Sequence, residues 1–348
     1  MKLFIVMAML SLVLAAAAQE NPAAKITENH AVTEVDGTVR EQRVIPLPQW
    51  LSSEAKAWLS RPVAADANVP QTIEQRRAGL DASQARHRDE LLKIFPVTVK
   101  DSTIAGVPVR EVAPTTIKHK DRVLICLHGG GFNADSGSYS ESIPVAGLTG
   151  VRVVSVLYRL APENPFPAGV NDVITVYQEL LKTYKPNRIG IFGSSAGAAL
   201  TLEAAVKMKQ LKMPMPAALG PFSSSASMVE GGDSRSLYNT DGWRGYVPVQ
   251  DGMQNEEYVG KTDRRDPVLS PIYADLHNMP PTLFITSERD LLLSSTSELN
   301  RAFLRAGNRS QLIVFDGLPH CFWNNNQLPE SREAWGYMAE FFDRELGR

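Results

Sequence analysis

Residues 188–197 read Arg188-Ile189-Gly190-Ile191-Phe192-Gly193-Ser194-Ser195-Ala196-Gly197. An apolar run of strand character ends at Phe192, and an Ala/Leu-rich helical segment opens after Gly197 and continues through Val206. Between them stands G-x-S-x-G. At a strand-to-helix turn this pattern has a mechanical reason: the nucleophile sits on a sharp, strained bend that lifts its hydroxyl above the sheet edge. The two glycines let strand and helix approach closely. The pentapeptide alone is weak, because Ser, Gly and Ala are common and a plain serine-rich turn reads the same. Its placement between strand and helix singles out the central Ser195, not Ser194, as nucleophile.

Outward from this turn, strand and helix signals alternate. Strands are expected at Val97–Val99 and Val107–Val109 around a turn at Ala105-Gly106, then at Arg122–Leu127, Val151–Tyr158 and Arg188–Phe192. Ala217–Gly220, Thr282–Thr286 and Gln311–Phe315 continue the series. Most are continuous Val/Ile/Leu runs, as strands buried on both faces of a parallel sheet should be. Helical stripes lie between them: Val173, Ile174, Tyr177 and Leu181; Leu299, Ala302, Phe303 and Ala306; and Trp335, Met338, Phe342 and Leu346. Ser295 and Glu298 are spaced as a capping box before the second stripe, and Gly307 stops it. The pattern predicts an open, mostly parallel sheet with helices on both sides. From Phe222 to about Arg265 no periodicity holds, and a connection this long suggests a lid. Residues 20–95 read as a polar, helix-leaning covering segment, with helices at Ser53–Leu59 and Ile73–Ile94.

A second chemical signal follows the strand ending at Leu127: His128-Gly129-Gly130-Gly131-Phe132. Three successive glycines expose backbone N–H groups that can point at a developing oxyanion, and the residue after the nucleophile, Ala196, offers another. No Gly-Lys-Ser/Thr follows, which excludes a phosphate-binding P-loop. His128 is expected to brace this turn by hydrogen bonds. A serine nucleophile needs a histidine base and an orienting carboxylate, in the chain order Ser, Asp or Glu, His. Of the six histidines, His30, His87, His119 and His128 precede Ser195, and His277 precedes the last two strands. His320, just after the final strand, has the expected position. Ser287-Glu288-Arg289-Asp290 offers both Glu288 and Asp290 as the acid, with Asp316 a third candidate expected to face elsewhere. The residues alone leave that choice open.

The 348 residues are 43% hydrophobic and 21% charged, with 36 Lys plus Arg against 38 Asp plus Glu. A net charge of −2 excludes a general nucleic-acid binder, which needs a marked excess of cations. The hydrophobic fraction excludes a disordered chain, and two cysteines exclude a disulfide scaffold. Cys126, within an apolar strand, is expected to pack as a small hydrophobe, and Cys321 to remain unpaired. Residues 1–18 place Lys2 before an apolar run and end in small residues, the pattern of a secretory signal peptide. That run falls short of the roughly 20 residues of a membrane span. A secreted or periplasmic protein without a membrane span after cleavage is expected. Scattered histidines and the lack of H-E-x-x-H argue against a metal.

With these motifs in order, the chain from about residue 95 resembles the hormone-sensitive-lipase-like group of bacterial α/β-hydrolases. His128–Phe132 resembles its oxyanion motif and Gly193–Gly197 its nucleophile elbow. Tyr158–Glu163 with Phe166–Ala168, Asp266-Pro267, Ser270-Pro271, Asp290-Leu291 and His320 also match. The resemblance implies an α/β-hydrolase fold, with a mostly parallel eight-stranded sheet flanked by helices. It adds a helical cap built from residues 19–95 and an insertion at about 222–265 of the 96–348 catalytic domain. It favours Asp290 as the acid and implies an oxyanion hole of Gly130, Gly131 and Ala196, with no cofactor. Three positions depart from the group: Ser194 stands where Asp or Thr is usual, Leu293 where a second Asp is common, and Cys321 where Gly is common.

The expected activity is carboxylesterase action on short- to medium-chain acyl esters. Lactone, amide or acetylated-sugar hydrolysis by the same triad is the alternative, and a non-catalytic ligand-binding module is the rival from another class. The partner is a small-molecule ester, and a homodimer is an allowed assembly. The cap aromatics Trp243, Tyr246 and Tyr258 are read either as lining an acyl pocket or as packing the cap on the sheet, and Arg264 with Arg265 as a solvated pair.

Overall fold

The computed structural model of the protein describes residues 28–62, 71–242 and 255–347. The expected signal segment 1–18 and the aromatics Trp243 and Tyr246 lie outside the described residues. The chain divides into two units, 1–47 and 48–348.

In the first unit, β1 (His30–Thr33) and β2 (Val39–Gln42) form an antiparallel hairpin. This corrects the helix-leaning reading of the stretch. The reason lies in Asp36-Gly37: the Asp36 carboxylate accepts the Thr38 N–H at 2.9 Å, and that local bond favours a turn over a helix.

The second unit begins with α1 (Ser53–Leu59) and α2 (Ile73–Leu91). Thr72 and Gln75 cap α2 reciprocally, with Thr72 Oγ1 accepting the Gln75 N–H and Gln75 Oε1 accepting the Thr72 N–H. Next come β3 (Val97–Ile104), β4 (Val107–Pro114), β5 (Val123–Leu127), α3 (Ser142–Thr149), β6 (Arg152–Val156) and α4 (Ala168–Leu180). They are followed by β7 (Ile189–Ser194), α5 (Ala196–Gln210), β8 (Ala218–Phe222), α6 (Asp233–Leu237) and α7 (Glu256–Val259). The chain closes with β9 (Thr282–Arg289), α8 (Leu293–Arg305), β10 (Ser310–Pro319) and α9 (Pro329–Leu346).

Strands β3 to β10 make an eight-stranded sheet in the order β3-β4-β6-β5-β7-β8-β9-β10. Strand β4 runs against both its neighbours, and every other pair is parallel. The central strands are buried along their length, as their unbroken apolar runs require. One core lies under α4, α5 and α8, with Val173, Tyr177, Leu200 and Phe303 fully buried. The other lies under α3 and α9, with Ile143, Trp335 and Phe342. Cys126 is part of this second core, packed as a small hydrophobe.

Three local expectations change. The capping box at Ser295 and Glu298 does not form: α8 starts at Leu293, and Ser295 Oγ donates to the Gly231 carbonyl at 3.2 Å. The chain turns into α8 at Asp290, whose carboxylate accepts the Leu292 N–H at 2.8 Å and whose carbonyl accepts the Leu293 N–H at 3.0 Å. Strand β10 continues past a register shift after Phe315 to Pro319, so Asp316 lies inside it. Arg264 is not merely solvated. It donates to the Met228 carbonyl at 2.7 Å and pairs with Glu256, whereas Arg265 is exposed. Among the described residues, no helix is long and apolar enough to cross a membrane.

Candidate active site

The elbow between β7 and α5 is shaped by backbone contact. A Cβ on Gly193 would lie 2.2 Å from the Leu127 carbonyl oxygen, and one on Gly197 only 1.8 Å from it. Only glycine lets the two segments meet at that distance. Ser195 consequently adopts φ 57° and ψ −119°, a conformation costly for an L-residue, and heads α5. Its N–H donates to the Phe222 carbonyl at 3.0 Å, and its carbonyl accepts the Ala198 and Ala199 N–H groups.

Ser195 Oγ lies 2.9 Å from His320 Nε2, across 125 residues of sequence. His320 Nδ1 lies 2.7 Å from Asp290 Oδ1. An ionised carboxylate only accepts, so Nδ1 carries the proton and Nε2 is free to accept from the serine hydroxyl. Asp290 is fully buried. It also accepts from Thr286 Oγ1 at 2.9 Å, from Ser223 Oγ and from the Leu292 N–H. Burial opposes its charge, but His320, Ser223 and the Leu292 N–H outweigh that penalty and hold the carboxyl below the usual range.

His320 hydrogen-bonds Asp290 rather than either rival acid. Glu288 and Asp316 share a hydrogen bond that raises the Glu288 carboxyl. His277 is bonded to Asp275 at 2.7 Å on the exposed surface.

The glycine turn lies beside the elbow. Gly130 has φ 120°, and a Cβ there would meet the Ala134 carbonyl oxygen at 2.0 Å, so this position also needs glycine. His128 braces the turn as expected: its Nδ1 lies 2.8 Å from the Gly129 carbonyl, and its ring stacks on Tyr158 at 4.3 Å. The Tyr158 hydroxyl donates to the His128 carbonyl at 2.7 Å. The Tyr158–Glu163 motif thus acts as a buttress, and the Ala161 N–H adds a bond to the Phe132 carbonyl at 2.9 Å. Arg77 of α2 completes it with a bidentate pair to Glu163 and bonds to the Asn133 and Ala161 carbonyls.

These pieces surround a cavity of about 900 Å³. Gly130, Gly131, Ser195, Ala196 and His320 line it. One face of α2 (Arg76, Leu80, Ser83, His87 and Glu90) forms a wall, and Asn324–Gln327 form another. Tyr258 packs rather than lines: it is buried, stacks on Phe132 at 3.6 Å and hydrogen-bonds Glu203. Cys321 is a free thiol whose Sγ lies 3.4 Å from His320 Nε2, with φ 51° where glycine is the easier residue. Among the described residues, no three His, Cys, Asp or Glu side chains gather as a metal site.

Sequence reasoning missed Ser223 and Thr286, which hydrogen-bond the Asp290 carboxylate, and Glu141, which accepts the Ser194 N–H of the elbow. Glu141 is buried, and desolvation raises its carboxyl to about 8. No motif marks it. Its one sequence cue is a single carboxylate within an otherwise uncharged run, Ser136–Thr149.

Residues 124–324 match a family model described as the alpha/beta hydrolase fold. An acetyl-hydrolase of Streptomyces hygroscopicus is 31% identical over 276 residues, covering 75% of this chain and 87% of its own. The crystal structure of an esterase, E25, superposes with a TM-score of 0.76 at 32% identity, covering 87% of this chain and 97% of that one. An esterase from the bacterial hormone-sensitive lipase family gives a TM-score of 0.70 at 28% identity, covering 80% and 94%. The sheet order, the elbow and these likenesses agree: the chain belongs to the alpha/beta hydrolase family, within its hormone-sensitive-lipase-like group.

Proposed function

We propose that this protein is a serine carboxylesterase that cleaves short- to medium-chain acyl esters through Ser195, His320 and Asp290. The chain is a carboxylic ester hydrolase, in keeping with its esterase relatives. The observation that carries the finer reading is the continuous hydrogen-bonded path Ser195–His320–Asp290, at 2.9 and 2.7 Å. In this mechanism His320 Nε2 takes the serine proton as Oγ attacks the ester carbonyl. Asp290 fixes the imidazole tautomer and stabilises the imidazolium. The N–H groups of Gly130, Gly131 and Ala196 receive the oxyanion, each strong donor worth on the order of 3 kcal/mol. His320 then protonates the leaving alcohol, and an activated water releases the acid.

A nitrophenyl ester series tests this reading with Ser195→Ala as control. The variant should lose at least about 10⁴-fold in kcat. Hydrolysis that survives it would refute the nucleophile assignment. Acetyl esters of polar alcohols are a second reading, favoured by the carboxamide-rich wall Asn324–Gln327. Rates on acetylated sugars measured beside the nitrophenyl esters separate the two.

The cap reading of α2 and the 222–265 segment is supported by the α2 residues along the cavity wall. Export with loss of residues 1–18 rests on the sequence pattern alone. Mass determination of the mature protein tests it.

A further inference from the structure

We propose that Glu141 and Ser194 form a positioning pair that holds the oxyanion turn, the nucleophile elbow and the base loop in mutual register. The inference rests on Ser195 acting as the nucleophile. One carboxyl oxygen of Glu141 accepts the Gly129 N–H at 3.3 Å, and the other accepts the Ser194 N–H at 3.1 Å. The Ser194 Oγ accepts the Trp323 indole N–H at 3.0 Å. Gly129 precedes the two oxyanion glycines, Ser194 precedes the nucleophile, and Trp323 lies three residues beyond the base.

Each catalytic segment therefore sends one contact into a single buried hub. All three groups are sealed from solvent: Glu141 is 4% exposed, and Ser194 and Trp323 1% each. The surrounding chain makes room for the carboxyl, since a Cβ on Gly137 would lie 1.9 Å from Glu141 Oε1. With both oxygens engaged by backbone donors, Glu141 is not placed to exchange protons with a substrate. Its effect passes through the position of others. Donors and nucleophile must hold their places within a few tenths of an ångström for transition-state stabilisation to be realised. Loosening the hub should consequently lower kcat and leave ground-state binding nearly unchanged.

Ser194→Ala and Ser194→Thr test this, with kcat, KM and thermal midpoint measured on p-nitrophenyl acetate. In Ser194→Ala, kcat should fall about 10-fold with KM within about two-fold, and the rate of fluorophosphonate labelling should fall in parallel. Ser194→Thr, which keeps the hydroxyl, should recover most of the loss. Glu141→Gln, if it folds with a midpoint near that of the wild type, should lose at least as much kcat as Ser194→Ala. An alanine variant within two-fold of wild-type kcat, or a loss that threonine does not repair, overturns the positioning pair. Ser195→Ala is run alongside. Activity retained there overturns the nucleophile reading instead, whereas an inactive Ser195→Ala beside an unimpaired Ser194→Ala overturns only the pair.

Discussion

The elbow at 193–197 and the loop at 320–327 each present one residue of the candidate triad, yet they are held in place by different means. The elbow is fixed by main chain against main chain, with Gly193 and Gly197 pressed on the Leu127 carbonyl. The base loop is fixed by side chains. Trp323 reaches Ser194, Asn324 accepts from Ser140 at 2.9 Å, and Asn326 donates to Glu90 at 2.7 Å. Ser331 adds a bond to the Phe322 carbonyl at 3.1 Å. Backbone contact admits no added atom. A set of separate side-chain bonds can lose one member without unfolding the loop, because each contributes only about 1 kcal/mol, while the register of the loop loosens.

Four measurements bear on this contrast. The largest effect belongs to the joint between the two regions: Asp290→Asn should cut kcat by about 10⁴-fold with the fold intact, because the imidazole tautomer is lost. Steady-state kinetics with a circular-dichroism control checks it. Next, Gly197→Ala should cost on the order of 3 kcal/mol or more, since the new methyl overlaps a main-chain carbonyl that cannot retreat. Urea unfolding measures this, and a near-neutral result would remove the claim that close main-chain contact fixes the elbow.

The third effect depends on pH. Glu141 has its carboxyl raised from 4.5 to about 8, chiefly by burial, with Asp135 adding repulsion. Between those values the unfolded chain is ionised at this residue while the folded chain keeps the proton. Wild-type stability should therefore fall as pH rises from about 4.5 to 8 relative to Glu141→Gln. Thermal midpoints of both proteins across that range would show a widening gap, and parallel curves would contradict it. The smallest effect lies in the base loop. Cys321 sits at φ 51°, so Cys321→Gly should relieve strain of roughly 1–2 kcal/mol, offset by about 0.5–1 of backbone entropy. A net gain of at most about 1.5 kcal/mol in urea unfolding is expected.

The same division explains what was legible in the sequence. The elbow, the glycine turn and the buried strands are local patterns, because glycines that admit close backbone contact and unbroken apolar runs declare themselves within a few residues. His320 followed from chain order and strand count. Choosing among Glu288, Asp290 and Asp316 needed either a family resemblance or three dimensions, since by the strand bounds expected from sequence all three flank strand ends. Glu141 was illegible for a deeper reason. Its partners Gly129 and Ser194 lie 12 and 53 residues away, and no spacing rule joins them. The hairpin at 30–42 was missed because its strands are short and exposed, leaving the Asp36-Gly37 turn as its main signal. The false capping box at Ser295 shows the opposite error, where a valid local pattern yielded to the tertiary task of Asp290.

Strand β10 stands at the sheet edge and pairs only with β9, and the histidine that meets Ser195 follows directly after it. A chain that has assembled β3 to β8 therefore already has Ser195 on the strained bend, but without the histidine proposed to activate it. Contacts across such separations form late, because loop closure must precede them. During synthesis, the hydrolase should stay silent until its C-terminal part has emerged and β10 has joined the edge. On refolding, the return of ester cleavage should lag behind the return of tryptophan fluorescence, making turnover a clock for the last strand to dock.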